Sequence, residues 1–415
     1  MPIQGPSPAD SAVSPRWLSI VGIGEDGIEG LNATARGLIS AAEIVFGGKR
    51  HLGLAGPLIR GAARPWPTPF ADATDEVRSH RGRQICVLAS GDPFQYGVGA
   101  VLARHIDPRE MIVVPVPSSF SLAAARLGWS LPDTALLSVH GRTLDLVRPH
   151  LQPGARLLAL TSDGEGPQML ARLLTEIGFG ASRLTVLEAV GGWQERIRHC
   201  QAGEFPFGIV SALNIVAIDV QAAPDARVLT RASGLADELF DHDGQITKRE
   251  IRALTLSSLA PRKGELLWDI GAGSGSIAIE WMLSDVAMRA IAIERREDRV
   301  ARIRRNAAAF GVPGLQIIEA AAPEALAGLP APDAVFVGGG GGHPGVLDAV
   351  IRALRPRGRL VANAVTVKTE GVLLARHAAL GGELTRIAVS RAAPVGDEIG
   401  WRPAMPVTQW VWIKP

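Results

Sequence analysis

Cysteine is scarce in this chain of 415 residues, which contains two of them. Cys86 lies inside the apolar run ICVLAS, and Cys200 follows His199. Two isolated cysteines provide neither a disulfide framework nor a zinc site. We therefore expect both cysteines to be packing residues, and we expect no metal centre.

Long apolar runs are also missing. No run approaches the roughly 18 residues that a transmembrane helix requires. The N-terminal stretch from Met1 to Pro15 is rich in proline and serine and lacks the apolar core of a signal peptide. These two absences predict a cytoplasmic protein with no membrane partner.

Neither sign of charge dominates, since 43 lysines and arginines face 41 aspartates and glutamates. Domains that bind nucleic acid usually show a strong basic excess, so we expect no nucleic-acid partner. Lysine occurs at only five positions, 49, 248, 263, 368 and 414. An excess of arginine suits bidentate recognition of carboxylates, although codon bias explains it equally simply.

The length of the chain exceeds the size at which one hydrophobic core usually stops growing, which predicts two domains. Short apolar runs alternate with amphipathic stretches in both halves, a pattern typical of α/β layers. Between the halves, QAAPDARVLTRASG lacks sustained periodicity and reads as a connector. We expect domains at 16–221 and 235–415. The strands predicted in the first are WLSIVGIG, ICVLAS, MIVVPV, TALLSV, ARLLALTS and RLTVLEAV, with one or two more in FGIVSALNIVAIDV.

The second half predicts a parallel, doubly wound sheet. Its strand candidates are ELLWDI, RAIAIE, LQIIEA, DAVFVG and GRLVANAV. The final runs LTRIAVSRAA and VTQWVWIKP have no helix between them and predict an antiparallel hairpin that closes the sheet edge. Thr247 and Glu250 have capping-box spacing, which predicts a helix opening at Thr247.

A glycine-rich segment, DIGAGSGSIAIE, follows the first of these strands and opens a helix. Its Gly271, Ala272, Gly273, Ser274 and Gly275 let backbone amides approach a ligand closely at the helix N-terminus. Glu294 ends the next strand, where a carboxylate accepts hydrogen bonds from ribose hydroxyls. The arrangement predicts a ribose-containing cofactor.

The dinucleotide fingerprint uses the same parts, so NAD stays an alternative at this point. Three features favour S-adenosylmethionine. Asp269 directly precedes the glycine loop, where its carboxylate could engage the amino group of the donor. The sheet ends in an apparent hairpin, and a second glycine loop, Gly338 to Gly342, follows DAVFV.

The motifs DHDGQITKREIR, DIGAGSGSIAIEW, AIERREDR, APEAL and VFVGGGGG closely resemble the C15-methylating, decarboxylating methyltransferases of cobalamin biosynthesis. The resemblance covers nearly all of the second half and implies a Rossmann-like αβα sandwich. By match with that family, the donor contacts are Thr247, Gly271 to Gly275, Glu294, Ala321 and Ala322. Many relatives carry an acidic residue where this chain has Ala321, so a side-chain contact to the adenine amino group is in doubt.

The first half has a GxGxxG spacing at Gly22, Gly24 and Gly27. A dinucleotide site also needs an acid at the end of the next strand, but the strand candidate EIVFG carries its glutamate at its beginning. We therefore do not interpret the spacing as a dinucleotide site. Instead VGIGEDG, SGDPFQYGVG, VPSSFSLAAARLGW, SVHGR and LTSDGEGP resemble the tetrapyrrole methylases. That family has two α/β lobes with S-adenosylmethionine between them. The resemblance implies donor contacts at Gly91, Asp92, Pro93, Gln95, Ser119 and Phe120.

SVHGR offers the only catalytic candidates that the sequence suggests in the first half, His140 as a general base and Arg142 as a carboxylate clamp. A histidine that caps the next helix is the alternative.

Six arginines crowd the helix after Glu294, at positions 295, 296, 299, 302, 304 and 305. Acidic neighbours interrupt that run, which predicts a solvated surface or a subunit contact.

Together the two resemblances imply an enzyme that methylates a precorrin at C5 and C15 and removes the carboxyl group of the ring C acetate. They imply one S-adenosylmethionine per domain and a homo-oligomer. Two other classes stay open from the residues alone. One is a methyltransferase acting on RNA or protein, and the other is a tetrapyrrole carrier with a relic donor site.

Overall fold

The computed structural model describes residues 16–415, so the expectation about a leader at Met1 to Pro15 lies outside the described part. The described chain divides into two units. Unit 1 contains the residues up to Arg142 together with Pro153–Arg227, and unit 2 contains Thr143–Gln152 and Val228–Pro415. The segment Thr143–Gln152, which contains a 3-10 helix at Leu144–His150, thus packs with the second unit.

The first lobe of unit 1 is a five-stranded sheet in the order β3-β2-β4-β1-β5, with every pair parallel. All six residues of β1 are buried, as expected for a parallel strand covered on both faces. Its strands and helices are β1 Leu18–Ile23, α1 Ala33–Ala41, β2 Ile44–Gly47, α2 Lys49–Ala55, β3 Ala62–Pro65, α3 Ala73–Ser79, β4 Ile85–Ser90, α4 Val98–Leu102 and β5 Met111–Val114.

The second lobe of unit 1 is a mixed sheet in the order β6-β7-β10-β8-β9. Its β6 and β7 are parallel, and the other pairs are antiparallel. Its elements are α5 Ser119–Leu127, β6 Thr134–Ser138, β7 Arg156–Leu160, α6 Gly166–Glu176, β8 Arg183–Glu188, β9 Arg196–Gln201 and β10 Asn214–Asp219. The apolar segment before the connector therefore holds one strand, β10.

Unit 2 is built on a seven-stranded sheet in the order β13-β12-β11-β14-β15-β19-β16. The first five strands in this order are parallel, and β19 runs antiparallel to both of its neighbours. Its elements are α7 Arg249–Leu259, β11 Leu266–Ile270, α8 Ser276–Leu283, β12 Arg289–Glu294, α9 Glu297–Ala309, β13 Gln316–Glu319, β14 Ala334–Val337, α10 Val346–Ala353, β15 Arg359–Ala364, α11 Val367–Leu380, β16 Glu383–Ile387, β17 Ser390–Val395, β18 Glu398–Pro403 and β19 Val407–Ile413.

Two hydrophobic clusters cover the two faces of this sheet. Leu266, Trp268 and Ile270 of β11 pack in one cluster, and Leu267 packs in the other. Successive side chains of a strand point to opposite faces, so one central strand contributes to both layers of the core. The α/β class predicted for both halves and the αβα sandwich of the second half are confirmed.

Three local predictions need correction. The capping box at Thr247 is wrong, because α7 begins at Arg249 and no side chain caps it. The Thr247 carbonyl instead accepts a hydrogen bond from Arg252 (2.5 Å), and Glu250 pairs with Arg391. The closing hairpin is present as β16 and β19, but a second hairpin, β17 and β18, is inserted between them. Of the cysteines, Cys86 is fully buried and Cys200 is half-buried on the edge strand β9.

Candidate functional site

The glycine loop of unit 2 lies where four neighbouring parallel strands end. The Gly271 amide donates to the carbonyl of Ile293 (2.9 Å), and the Gly338 amide donates to that of Ile270 (3.1 Å). Both glycine segments are thereby tied to the carboxyl edge of the sheet. Ligands of open parallel α/β sheets bind at this edge.

Glycine is required in this loop for two separate reasons. Gly271, Gly273 and Gly275 have φ values of +69°, +60° and +77°, which favour residues without a Cβ. A Cβ on Gly271 would also lie 2.8 Å from the backbone of Gly339. The first helical residue after the loop is Ser276, and the N-cap residue, Gly275, has no side chain. The Ala278 amide in the first turn donates to the Asp269 carboxylate, so the helix N-terminus is partly capped from within the protein.

Glu294 stands at the end of β12 and is only 4% exposed. Its carboxylate accepts hydrogen bonds from the amides of Gly273 (3.0 Å) and Arg296 (3.1 Å). These two bonds fix the carboxylate directly against the glycine loop. The side chain is thus held where an acid is needed to receive ribose hydroxyls.

Asp269 is buried beneath the same loop. One carboxylate oxygen accepts from the Ala278 amide (3.2 Å), and Oδ1 has no hydrogen-bond partner within the described chain. Burial, and secondly the charge of Glu294, raises the pKa of Asp269 to about 7. The hydroxyl of Ser274 is also buried without a partner among the described residues. Unpartnered buried polar atoms fit a site that is completed by a polar ligand.

The remaining residues matched in unit 2 lie around this edge. Gln245, two positions before Thr247, places its carbonyl 3.4 Å from a Cβ built on Gly273, so the segment ending at Thr247 borders the loop. Ala321 and Ala322 follow β13, the neighbour of β12. Both residues are alanines, so neither side chain can accept a hydrogen bond from an adenine amino group.

Unit 1 holds a cavity of about 490 Å³ that is lined by both of its lobes. The residues that the sequence singled out and that line it are Gly91, Gln95, Ser119, Phe120 and His140. Asp92 and Pro93 are not among the described residues that line the cavity. The Asp92 carboxylate instead accepts from the Phe94 amide (2.8 Å) and shapes the turn.

Close backbone packing explains the glycines around this turn. Gly91 has a φ of +56°, and its carbonyl accepts from the Val116 amide (3.2 Å). A Cβ on Gly22 would collide with the Gly91 carbonyl. Gly22 therefore allows β1 to pack closely against the Gly91 loop, which gives this glycine a structural role that requires no dinucleotide.

His140 reaches the cavity, whereas Arg142 is not among the described residues that line it. Nδ1 of His140 lies 3.2 Å from the Thr161 carbonyl, and because a carbonyl oxygen only accepts, Nδ1 is the donor of this hydrogen bond. The alternative of a capping histidine is wrong, because Thr143 caps the next helix by accepting from the Asp145 amide. The catalytic roles of His140 and Arg142 stay predictions.

The comparisons with known proteins cover both units. Residues 18–206 match the model of the tetrapyrrole (corrin/porphyrin) methylases, and residues 238–414 match that of the precorrin methyltransferase domain. A precorrin-6Y C(5,15)-methyltransferase [decarboxylating] from a Sinorhizobium species is 60% identical over 98% of this chain and 99% of its own length. The chain belongs to this family.

Shorter relatives also match parts of this chain. A cobalt-precorrin-6B C(15)-methyltransferase (decarboxylating) of Salmonella typhimurium is 32% identical over 42% of this chain and 92% of its own. A cobalt-precorrin-7 C(5)-methyltransferase of the same organism is 30% identical over 43% and 88%. In that organism the C(5)- and the C(15)-methyltransferase are thus separate proteins.

The cavity of this C(5,15)-methyltransferase family member also contains residues that the sequence did not single out. Arg50 pairs with Glu25, and its Nη2 donates to His51 Nε2 (2.7 Å) and to Ser90 Oγ (3.0 Å). All four line the cavity. Burial, and secondly the charge of Arg50, lowers the pKa of His51 to about 4. The sequence signal for this cluster is the segment KRH, which follows β2. Because β2 runs parallel to β1 and β4 and ends at the same sheet edge, residues after β2 are expected near the Gly91 loop.

The arginines of α9 are not simply solvated. Arg299, Arg302 and Arg305 pair with Asp241 or Asp243. The side chains of Arg299 and Arg302 are mostly buried, whereas that of Arg305 is 61% exposed, so a purely solvent-facing role is wrong for the first two. Arg296 pairs with its neighbour Asp298.

Within residues 16–415, no cluster of His, Cys, Asp and Glu is placed to hold a metal ion. None of the helices in that range is both long and apolar enough to cross a membrane.

Proposed function

We propose that this chain methylates a precorrin at C5 and C15 and removes the carboxyl group of the ring C acetate. The observation that carries this proposal is the 60% identity to the Sinorhizobium enzyme over essentially the whole of both chains. Both family models describe enzymes of tetrapyrroles, which leaves the alternatives of an RNA or protein methyltransferase without support.

We assign C5 methylation to domain 16–221 and C15 methylation with decarboxylation to domain 235–415. The existence of separate C5 and C15 enzymes in Salmonella supports this division. Each domain would then hold its own S-adenosylmethionine, which supplies an electrophilic methyl group on a positively charged sulfur.

In the second domain the ligand-binding groups are arranged by chemical type. The amides of Gly271, Gly273 and Gly275 are bonded within the protein, so the loop would offer a ligand close approach to its backbone rather than a row of free N–H groups. Glu294 would accept from the ribose hydroxyls. Asp269 has a free carboxylate oxygen that fits an ammonium group. An intact acid and glycine loop also argue against a carrier with a relic donor site.

In the first domain the binding surface is mainly backbone and apolar side chains. Gly91, Gln95, Ser119 and Phe120 line the cavity, and Asp92 holds the turn that carries Gln95. Charged side chains are few there, and Glu25 and Arg50 pair with each other. We infer that this domain recognises the donor largely through backbone groups and shape.

The protein's main chemical task is positioning. Methyl transfer to carbon requires an electron-rich carbon in line with the methyl group, and orientation supplies much of the rate. The reduced macrocycle has enamine-like carbons and accepts the electron pair released when carbon dioxide leaves. His140, exposed and lining the first cavity, is our candidate acceptor for a proton lost after methylation at C5.

A pair of variants tests the assignment of the reactions. Glu294→Ala should lose C15 methylation, and Asp92→Ala should yield product one methyl short at C5, both measured by mass spectrometry. Mixing the two variants should restore the complete product, whichever reaction comes first. If Glu294→Ala retains C15 methylation, or the mixture fails to complement while both variants are folded, the division of labour is wrong.

A further inference from the structure

A segment of unit 2 outside the glycine loop lies against that loop. We call residues 241–247 the strap. It precedes α7 and ends at Thr247, and its Gln245 carbonyl lies 3.4 Å from the position of a Cβ on Gly273. The strap and the glycine loop are therefore neighbours at the site to which we assign the methyl donor.

One buried side chain connects the two segments. Asn306 of α9 is only 2% exposed. Its Oδ1 accepts from the Asp241 amide (2.9 Å), and its Nδ2 donates to the carbonyls of Asp241 (2.9 Å) and Ser274 (2.9 Å). Both N–H groups of the amide are used, one toward the strap and one toward the loop.

The same helix holds the strap by charge. Arg305 donates to the Asp241 carboxylate (2.5 Å), and Arg299 donates to that of Asp243 (3.0 Å). Arg302, between them on the same helical face, lies 3.3 Å from both carboxylates. The hydrogen bond from Arg305 holds the pKa of Asp241 below its usual value, so the carboxylate is ionised at neutral pH.

We propose that Asn306 is a positioning residue of the methyl-donor site, which ties the strap to the glycine loop and thereby fixes Thr247 relative to Gly273. The proposal rests on the proposed function of unit 2. Asn306 itself touches no reacting atom. Its removal should weaken donor binding, because the strap and loop would then have to be ordered by the ligand.

The sharpest variant is Asn306→Asp, which keeps the size and the acceptor but places an oxygen against two carbonyls. S-adenosylhomocysteine binding to the full chain is measured by calorimetry, and Glu294→Ala identifies the binding event of unit 2. We expect about tenfold weaker binding there, the change that corresponds to one or two lost buried hydrogen bonds. In C15 methylation, KM for the donor should rise by a similar factor with a smaller change in kcat.

The matched control is Asn363→Asp in the same unit. The Asn363 amide donates to Thr255 Oγ1 (3.0 Å) and accepts from Gln409 (3.0 Å), in a network that does not include the strap or the loop. This variant should lose thermal stability but keep donor affinity. Equal loss of affinity in both variants would mean that destabilisation alone explains the effect and would overturn the proposal.

A second variant covers the case in which Asn306→Asp does not fold. Asp241→Ala removes an exposed carboxylate and its arginine pairs but leaves its backbone bonds to Asn306. We expect two- to threefold weaker donor binding with a smaller response to salt, because the pairs of Asp243 remain. Wild-type affinity in folded Asn306→Asp or, where that variant does not fold, in Asp241→Ala contradicts the proposal that α9 fixes the strap for donor binding. Absence of donor binding to unit 2 of the wild-type protein contradicts the proposed function instead.

Discussion

The two candidate donor sites differ in where they place charge. In unit 2, Asp269 and Glu294 lie buried at the edge of a single sheet, and neither carboxylate is paired with an arginine or lysine within the described chain. In unit 1, Glu25 and Arg50 line the cavity but are paired with each other. If both sites take the same cationic donor, the second uses buried carboxylates and the first relies on backbone and shape.

This contrast has a physical basis in the two architectures. Adjacent parallel strands bring several loops to one edge, where a buried acid can be supported by backbone amides, as Glu294 is by Gly273. In unit 1 strand ends from both lobes also reach the cavity, but the acid there, Glu25, is paired with Arg50 and is not held by a glycine-loop amide among the described residues. Substitutions that change charge should therefore affect unit 2 strongly, and those that change shape should affect both units.

The largest effect should come from shape in unit 2. Gly271→Ala places a methyl group 2.8 Å from the backbone of Gly339 at a φ of +69°, so the two glycine loops must separate. We expect donor binding to unit 2 to fall at least a hundredfold, measured by calorimetry with S-adenosylhomocysteine, while unit 1 keeps its binding event. Unchanged binding to unit 2 would show that this loop does not carry the donor.

The matched control is Gly371→Ala, inside α11, where an added Cβ has nothing within 4 Å. Alanine is favoured over glycine in a helix interior by up to about 1 kcal/mol. This variant should bind the donor normally and unfold at a slightly higher temperature. A loss of donor binding in Gly371→Ala would mean that the calorimetric signal reports general damage.

A smaller effect should distinguish charge from shape. Because the pKa of Asp269 is raised to about 7, its proton is retained on folding, and its contribution to stability is lost as the pH rises from about 4 through 7. A donor ammonium favours the ionised carboxylate, so donor affinity should rise over the same range. Asp269→Asn should remove the pH dependence that Asp269 gives to donor affinity, measured by calorimetry, and to stability, measured by thermal unfolding. A wild-type affinity that does not change between pH 5 and 8 would contradict an ammonium contact at Asp269.

Sequence analysis predicted the parts of the molecule that depend on local pattern. Buried strands such as β1 and β11 are continuous apolar runs, and the glycine loop with Glu294 is recognisable from spacing. The edge strands β3 and β9 and the hairpin β17–β18 were missed, since their exposed residues show no apolar pattern.

The residues missed at the sites depend on packing between distant segments. Asn306 joins segments that are 65 and 32 positions away, and nothing in its own neighbourhood indicates this role. Likewise, Ser90 meets Arg50 across 40 positions. Pattern analysis locates loops that bind ligands but does not show which buried polar side chain supports them.

The smallest expected effect concerns the charged pair in unit 1. Because the pKa of His51 is lowered to about 4, unit 1 should lose stability as the pH falls from about 6.5 to 4, where the unfolded chain takes up the proton. Burial is the larger cause and Arg50 the second, so Arg50→Met should raise the His51 pKa only part of the way. Titration of the ring protons by NMR measures this shift. Arg126→Met, which breaks the pair between Arg126 of α5 and Glu195, is the control and should leave the pKa of His51 unchanged. If Arg50→Met restores an ordinary pKa of His51, the charge of the Arg50 guanidinium, and not burial, lowers that pKa. The two units would then differ less in their electrostatics than their architectures suggest.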